Sequence, residues 1–93
     1  FHSPKNLASA LIVEAAELLE HFQWLSEKQS AALPPAQRDA VALEMADVLL
    51  YLLRLADRLD IDLLAAARAK IALNAAKYPV DKARGRADKY TDL

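Results

Sequence analysis

Glu14-Ala15-Ala16-Glu17-Leu18-Leu19-Glu20-His21-Phe22-Gln23-Trp24 is the stretch on which the reading of this chain turns. Three carboxylates recur every third residue inside an Ala- and Leu-rich run. Ala and Leu favour helix, and on a helix residues three apart are neighbours on one face. Like charges set so close repel, so helix stability gives no reason for the spacing. A second pair, Glu44 and Asp47, repeats it in the next apolar segment. If the two helices run antiparallel, Glu14, Glu17, Glu44 and Asp47 can converge.

Four uncompensated carboxylates in an apolar setting are destabilising, so they either take up protons or bind a cation. Oxygen ligands in a chain without Cys select Mg²⁺, Mn²⁺ or Ca²⁺ over Zn²⁺. Mg²⁺ keeps several waters and shares its coordination with substrate phosphates, so the site predicts a phosphate-bearing substrate. A di-iron carboxylate bundle would need Glu-x-x-His motifs. The residues three after Glu14, Glu17 and Glu44 are Glu17, Glu20 and Asp47. His21 falls four after Glu17 and reads as its surface partner; His2 lies outside the helices. The plain alternative is an acid-dotted helix surface. One Glu-x-x-Glu supports nothing more, but two spaced pairs inside apolar runs favour the cation.

At 93 residues the chain is expected to form a single domain over 1–93. Hydrophobic residues make up 55%, with a single Gly, so the expected class is all-α. A net charge of −1 argues against a general binder of nucleic-acid polymers or membranes. Residues 1–67 hold 5 Lys/Arg against 10 Asp/Glu, and residues 68–93 hold 7 against 3. An acidic centre followed by a basic tail suits a metal plus phosphates; the bland equivalent is two solvated surfaces of opposite sign. No signal peptide is visible, and the longest apolar run, Val48 to Leu53, is far short of the ~20 residues that span a bilayer. A cytoplasmic protein is expected. The chain opens at Phe1 without Met, and a short N-terminal segment is expected to be missing.

The first helix is expected from about Leu7 to about Ser26, capped by Ser3 or Asn6 with Pro4 in its lead-in. A loop over Lys28 to Ala36 carries Pro34-Pro35. A second helix is expected from about Ala36 to Leu59. Its segment Val48-Leu49-Leu50-Tyr51-Leu52-Leu53 is apolar all the way round, more than one small chain can cover, so an oligomeric interface is expected. Asp60 or Asp62 would cap a third helix, to about Lys77, and Pro79 ends it. The architecture is a helical hairpin plus a third helix, forming four-helix bundles on oligomerisation, as a homodimer or homotetramer. Trp24, one turn past Glu20, and Tyr51, four after Asp47, are candidates to stack on a nucleobase. Lys70, Asn74, Lys77 and Tyr78 make a polar stripe suited to gripping phosphate and sugar. The competing readings are core or interface packing for the aromatics and a solvated face for the stripe.

These residues together resemble the MazG-like, all-α nucleoside triphosphate pyrophosphatase superfamily, and within it the dCTP pyrophosphatase branch. The superfamily pattern is Glu-x-x-Glu, sometimes with a third Glu, then a spacer and Glu-x-x-Asp, matched by Glu14, Glu17, Glu20, Glu44 and Asp47. The branch likeness rests on His-Ser-Pro-Lys-Asn at 2–6, Phe-Gln-Trp at 22–24 and Asp-Val-Leu-Leu-Tyr-Leu at 47–52. Lys70, Asn74, Lys77-Tyr78-Pro79 and Lys89-Tyr90-Thr91-Asp92-Leu93 complete it. The resemblance implies hydrolysis of a deoxynucleoside triphosphate, with dCTP favoured, to the monophosphate and pyrophosphate. It implies Mg²⁺, replaceable by Mn²⁺, held by Glu14, Glu17, Glu44 and Asp47. Glu17 or Glu20 is the candidate to take the proton of the attacking water. Trp24, Tyr51, Lys70, Asn74 and Tyr78 would bind base and phosphates, and in that branch a segment preceding the position of Phe1 adds base-contacting aromatics. The reading from a different class is a non-catalytic helical oligomerisation or binding module.

Overall fold

Ser3 starts the first helix. Its extended backbone ends the lead-in and its hydroxyl accepts the Asn6 N–H at 3.2 Å, satisfying one of the unpaired donors of a helix start. Pro4 then fits the first helical position, where no N–H is needed. In the computed structural model, which describes residues 2–77, α1 runs Pro4–Glu20, α2 Glu27–Ser30, α3 Pro35–Arg58 and α4 Leu63–Lys77. All four are helices, as the composition predicts.

The boundaries depart from expectation at α1. It begins at Pro4 rather than Leu7, and Ser3, not Asn6, is the cap. It ends at Glu20, six residues before Ser26. The His21 N–H turns back to Leu18 and Leu19, and the chain continues in turns closed by Gln23 to Leu19 and Leu25 to Phe22. Ser26 is therefore a beginning rather than an end. With Gln29 it forms a reciprocal capping box for the short α2, a helix start inside what reads as a loop. Pro34-Pro35 acts as punctuation, with Pro35 opening α3 at its first position.

α1 and α3 pack against each other. They run antiparallel: His21 at the end of α1 meets Glu44 in the first half of α3, while Leu7 near the start of α1 lines a cavity with Arg54, Asp57 and Arg58 at the end of α3. Leu7, only 3% exposed, Val41 and Ala56 are the buried apolar residues of the hairpin. Three such side chains make a thin core. Large apolar groups are left on the outside: Ile12 (68% exposed), Val13 and Leu19 on α1, and Leu43, Met45, Leu49, Leu50 and Leu53 on α3.

α3 stops at Arg58, and Asp60 takes a left-handed backbone with φ 55°. Asp tolerates that region better than most residues, and it is where a helix C-terminus turns away. The chain divides at this point into two compact units, Phe1–Asp60 and Ile61–Leu93. In the second unit Asp62 caps α4, its carboxylate accepting the Ala65 N–H at 3.0 Å. Leu64, Ile71 and Leu73 of α4 are exposed. Pro79 and Val80 to Leu93 lie outside the described residues.

Candidate metal and active site

The hairpin brings three of the four expected carboxylates together. Glu14 and Glu17 are one turn apart on α1, Glu44 comes from α3, and each offers an oxygen within 4.8 Å of the others. Glu14 and Glu44 are half-buried, and Oε2 of each is buried with no hydrogen-bond partner. A buried carboxylate oxygen without a donor costs free energy. The protein answers that cost at Glu14 by raising its pKa above the ordinary 4.5. Removal from water is the largest cause, followed by a hydrogen bond with the Glu17 side chain, then repulsion from Glu17, Asp47 and Glu44.

Asp47 stands one turn along α3 from Glu44. It is exposed and its charge is felt at Glu14, but it is not one of the three whose oxygens gather within 4.8 Å. It occupies the rim of the cluster. Glu20, the last residue of α1, is exposed and also outside that group.

These residues fit a hard divalent ion. The donors are all carboxylate oxygens, two of them buried and unpartnered, and no Cys is available in the chain. Mg²⁺ and Mn²⁺ match such a set. Bound there, either ion would offset the repulsion among the acids.

His21 does not partner Glu17 as expected. Its Nε2 lies 3.7 Å from Glu44 Oε1, across the hairpin. Sequence spacing held a usable signal for it: His21 is seven residues after Glu14, two turns on and on the same face. Trp24 sits in the turn after α1 and is 86% exposed. Tyr51 is half-buried on α3, with the Arg54 guanidinium 5.8 Å from its ring centre. Tyr51 is seven residues past Glu44, about 10 Å along the axis, in the direction away from the end of α1. Arg54 also lines, with His2, Leu7, Asp57 and Arg58, a cavity of about 260 Å³, for which the sequence reading has no counterpart.

Lys70, Asn74 and Lys77 lie along one side of α4 at spacings of four and three, with Asn74 half-buried and both lysines exposed. They belong to the second compact unit. Tyr78 lies outside the described residues.

A family model described as the MazG-like family matches residues 10–93, which takes in every carboxylate of the cluster. The chain belongs to the MazG-like family. The chain is 47% identical over 95 residues to dCTP pyrophosphatase 1 of Mus musculus and 41% identical to that of Homo sapiens, in each case over all of this chain and 56% of the relative. This MazG-like chain therefore spans about half the length of the curated relatives it matches. Among solved structures it is similar to a pyrophosphatase from Archaeoglobus fulgidus, with a TM-score of 0.79 and 43% identity, over 84% of this chain and 73% of the other. No described helix of the MazG-like chain is long and apolar enough to cross a membrane.

Proposed function

We propose that residues 1–93 form a MazG-like domain that hydrolyses a deoxynucleoside triphosphate, dCTP or a close relative, to the monophosphate and pyrophosphate. The observation that carries this reading is the convergence of Glu14, Glu17 and Glu44 with two buried, unpartnered oxygens. The names of the relatives, dCTP pyrophosphatase 1 and a pyrophosphatase, supply the reaction class.

In this reading Glu14, Glu17 and Glu44, with Asp47 on the rim, hold Mg²⁺. The ion supplies charge neutralisation at the phosphates and a more acidic water. The chain's own groups do the rest. Glu17 or the exposed Glu20 receives the proton of the attacking water. Lys70, Asn74, Lys77 and Tyr78 grip phosphate and sugar. Trp24 and Tyr51 offer stacking faces for the base. The exposed apolar residues of α1 and α3 support a homodimer or homotetramer built on a four-helix bundle. The substrate is a free nucleotide, not a polymer, and the setting is the cytoplasmic nucleotide pool.

A non-catalytic oligomerisation module draws on the same exposed apolar surface. Pyrophosphate release from a panel of dNTPs, with and without Mg²⁺, separates the two. Turnover that needs Mg²⁺ and favours dCTP supports hydrolysis; none with any dNTP leaves only the module.

A further inference from the structure

His21 falls at the one place where α1 ends and the metal cluster begins. It is the C-cap of α1, lies on the face of Glu14, and reaches across the hairpin to Glu44. Glu44 has two oxygens with different surroundings. Oε2 is buried without a partner, and Oε1 faces His21 Nε2 at 3.7 Å. That distance is too long for a direct hydrogen bond, and a small rotation of the ring would close it. Both partners keep some contact with solvent, with side chains 31% and 23% exposed, so the imidazole can make that adjustment.

Resting on the metal reading above, the geometry points to His21 as a positioning residue that fixes the Glu44 carboxylate, holding it at Oε1 while it stays gathered with Glu14 and Glu17. Carboxylate ligands are commonly oriented by an outer partner of this kind, and losing it lowers metal affinity by about 10–100-fold. The protonated ring, or the neutral ring as its Nε2–H tautomer, supplies the donor. The competing role is a cation at the end of α1, where the helix dipole favours positive charge. That role needs no particular reach toward Glu44 and would affect stability alone.

The test is Mn²⁺ binding to the nucleotide-free full chain, followed by the electron paramagnetic resonance signal of free Mn²⁺. The set is wild type, His21→Leu, His21→Asn and Glu14→Gln, with a metal-free thermal melt of each. His21→Leu is expected to bind Mn²⁺ about tenfold more weakly, and His21→Asn, which retains an N–H donor, to recover most of that loss. In turnover, the Leu variant is expected to need more Mg²⁺ while reaching the same kcat at saturation. Equal Mn²⁺ affinity in the Leu variant and wild type overturns the positioning role and leaves the metal site standing. Equal losses in the Leu and Asn variants, tracking equal drops in melting temperature, also overturn it in favour of the dipole role. Wild type that binds no more Mn²⁺ than Glu14→Gln overturns the metal reading and this inference together.

Discussion

Glu14 of α1 and Glu44 of α3, thirty residues apart in the chain, bring carboxylate oxygens within 4.8 Å of each other, and each keeps a buried Oε2 with no hydrogen-bond partner. Neither helix alone has a reason to tolerate this. Together they make a gap in the hairpin's polar pairing that a divalent cation would close.

Glu44→Ala is expected to abolish Mg²⁺-dependent turnover while leaving the helical content unchanged. The substitution removes one of three gathered acids, so repulsion in the metal-free protein falls and its melting temperature stays level or rises slightly. Circular dichroism melts beside a pyrophosphate-release assay check both halves. Near-normal turnover would remove Glu44 from the site.

The raised pKa of Glu14 fixes the sign of a pH effect. An acid that holds its proton more tightly when folded favours the folded state fully below its unfolded value, here 4.5. That contribution is lost as pH rises through the folded pKa. Metal-free wild type should therefore lose stability relative to Glu14→Gln as pH climbs above 4.5, and saturating Mg²⁺ should close the difference near neutral pH. Paired melts across the acid-to-neutral range would show it. A difference that shrinks with rising pH in the absence of metal contradicts the assignment.

Met45, Leu49 and Leu53 recur every four residues on α3 and are all about half exposed. Such a stripe is expected to lie in a subunit interface. Burying one leucine is worth about 1.5–3 kcal/mol, and a symmetric interface counts it twice. Leu49→Glu should shift an oligomer toward monomer in sedimentation at low micromolar concentration. A wild type that sediments as a folded monomer would rule out the interface.

Trp24→Ala should weaken binding of every accepted dNTP by a similar factor, on the order of 1–3 kcal/mol, because stacking uses a face that all bases share. The side chain is 86% exposed, so the melting temperature of the hairpin should hardly move. Affinities across a dNTP panel decide: a reordered ranking means that Trp24 reads the base edge.

Lys70→Ala should lower affinity for a nucleoside triphosphate at least about tenfold and leave nucleoside affinity unchanged, since a charge-assisted contact contributes roughly 1.5–3 kcal/mol. Calorimetry with both ligands tests this. Equal affinities for wild type and variant would return Lys70 to the solvated face of α4.

The sequence by itself determined that this protein is helical, where three of its long helices lie, and which acids share a face. Those properties are local: Ala/Leu content, the Ser3 and Asp62 caps, the Pro34-Pro35 break and the period of the helix act over a few residues. The early end of α1 was less legible, because residues 21–26 keep helical composition while the His21 and Gln23 N–H groups close turns instead. Tertiary structure decided the rest. Only the antiparallel pairing of α1 with α3 set Glu44 against Glu14 and Glu17 while leaving Asp47 on the rim, and set His21 against Glu44 rather than Glu17. Spacing along one helix fixes a face, but which residues meet across two helices depends on their relative register, and no short-range rule in the sequence encodes it.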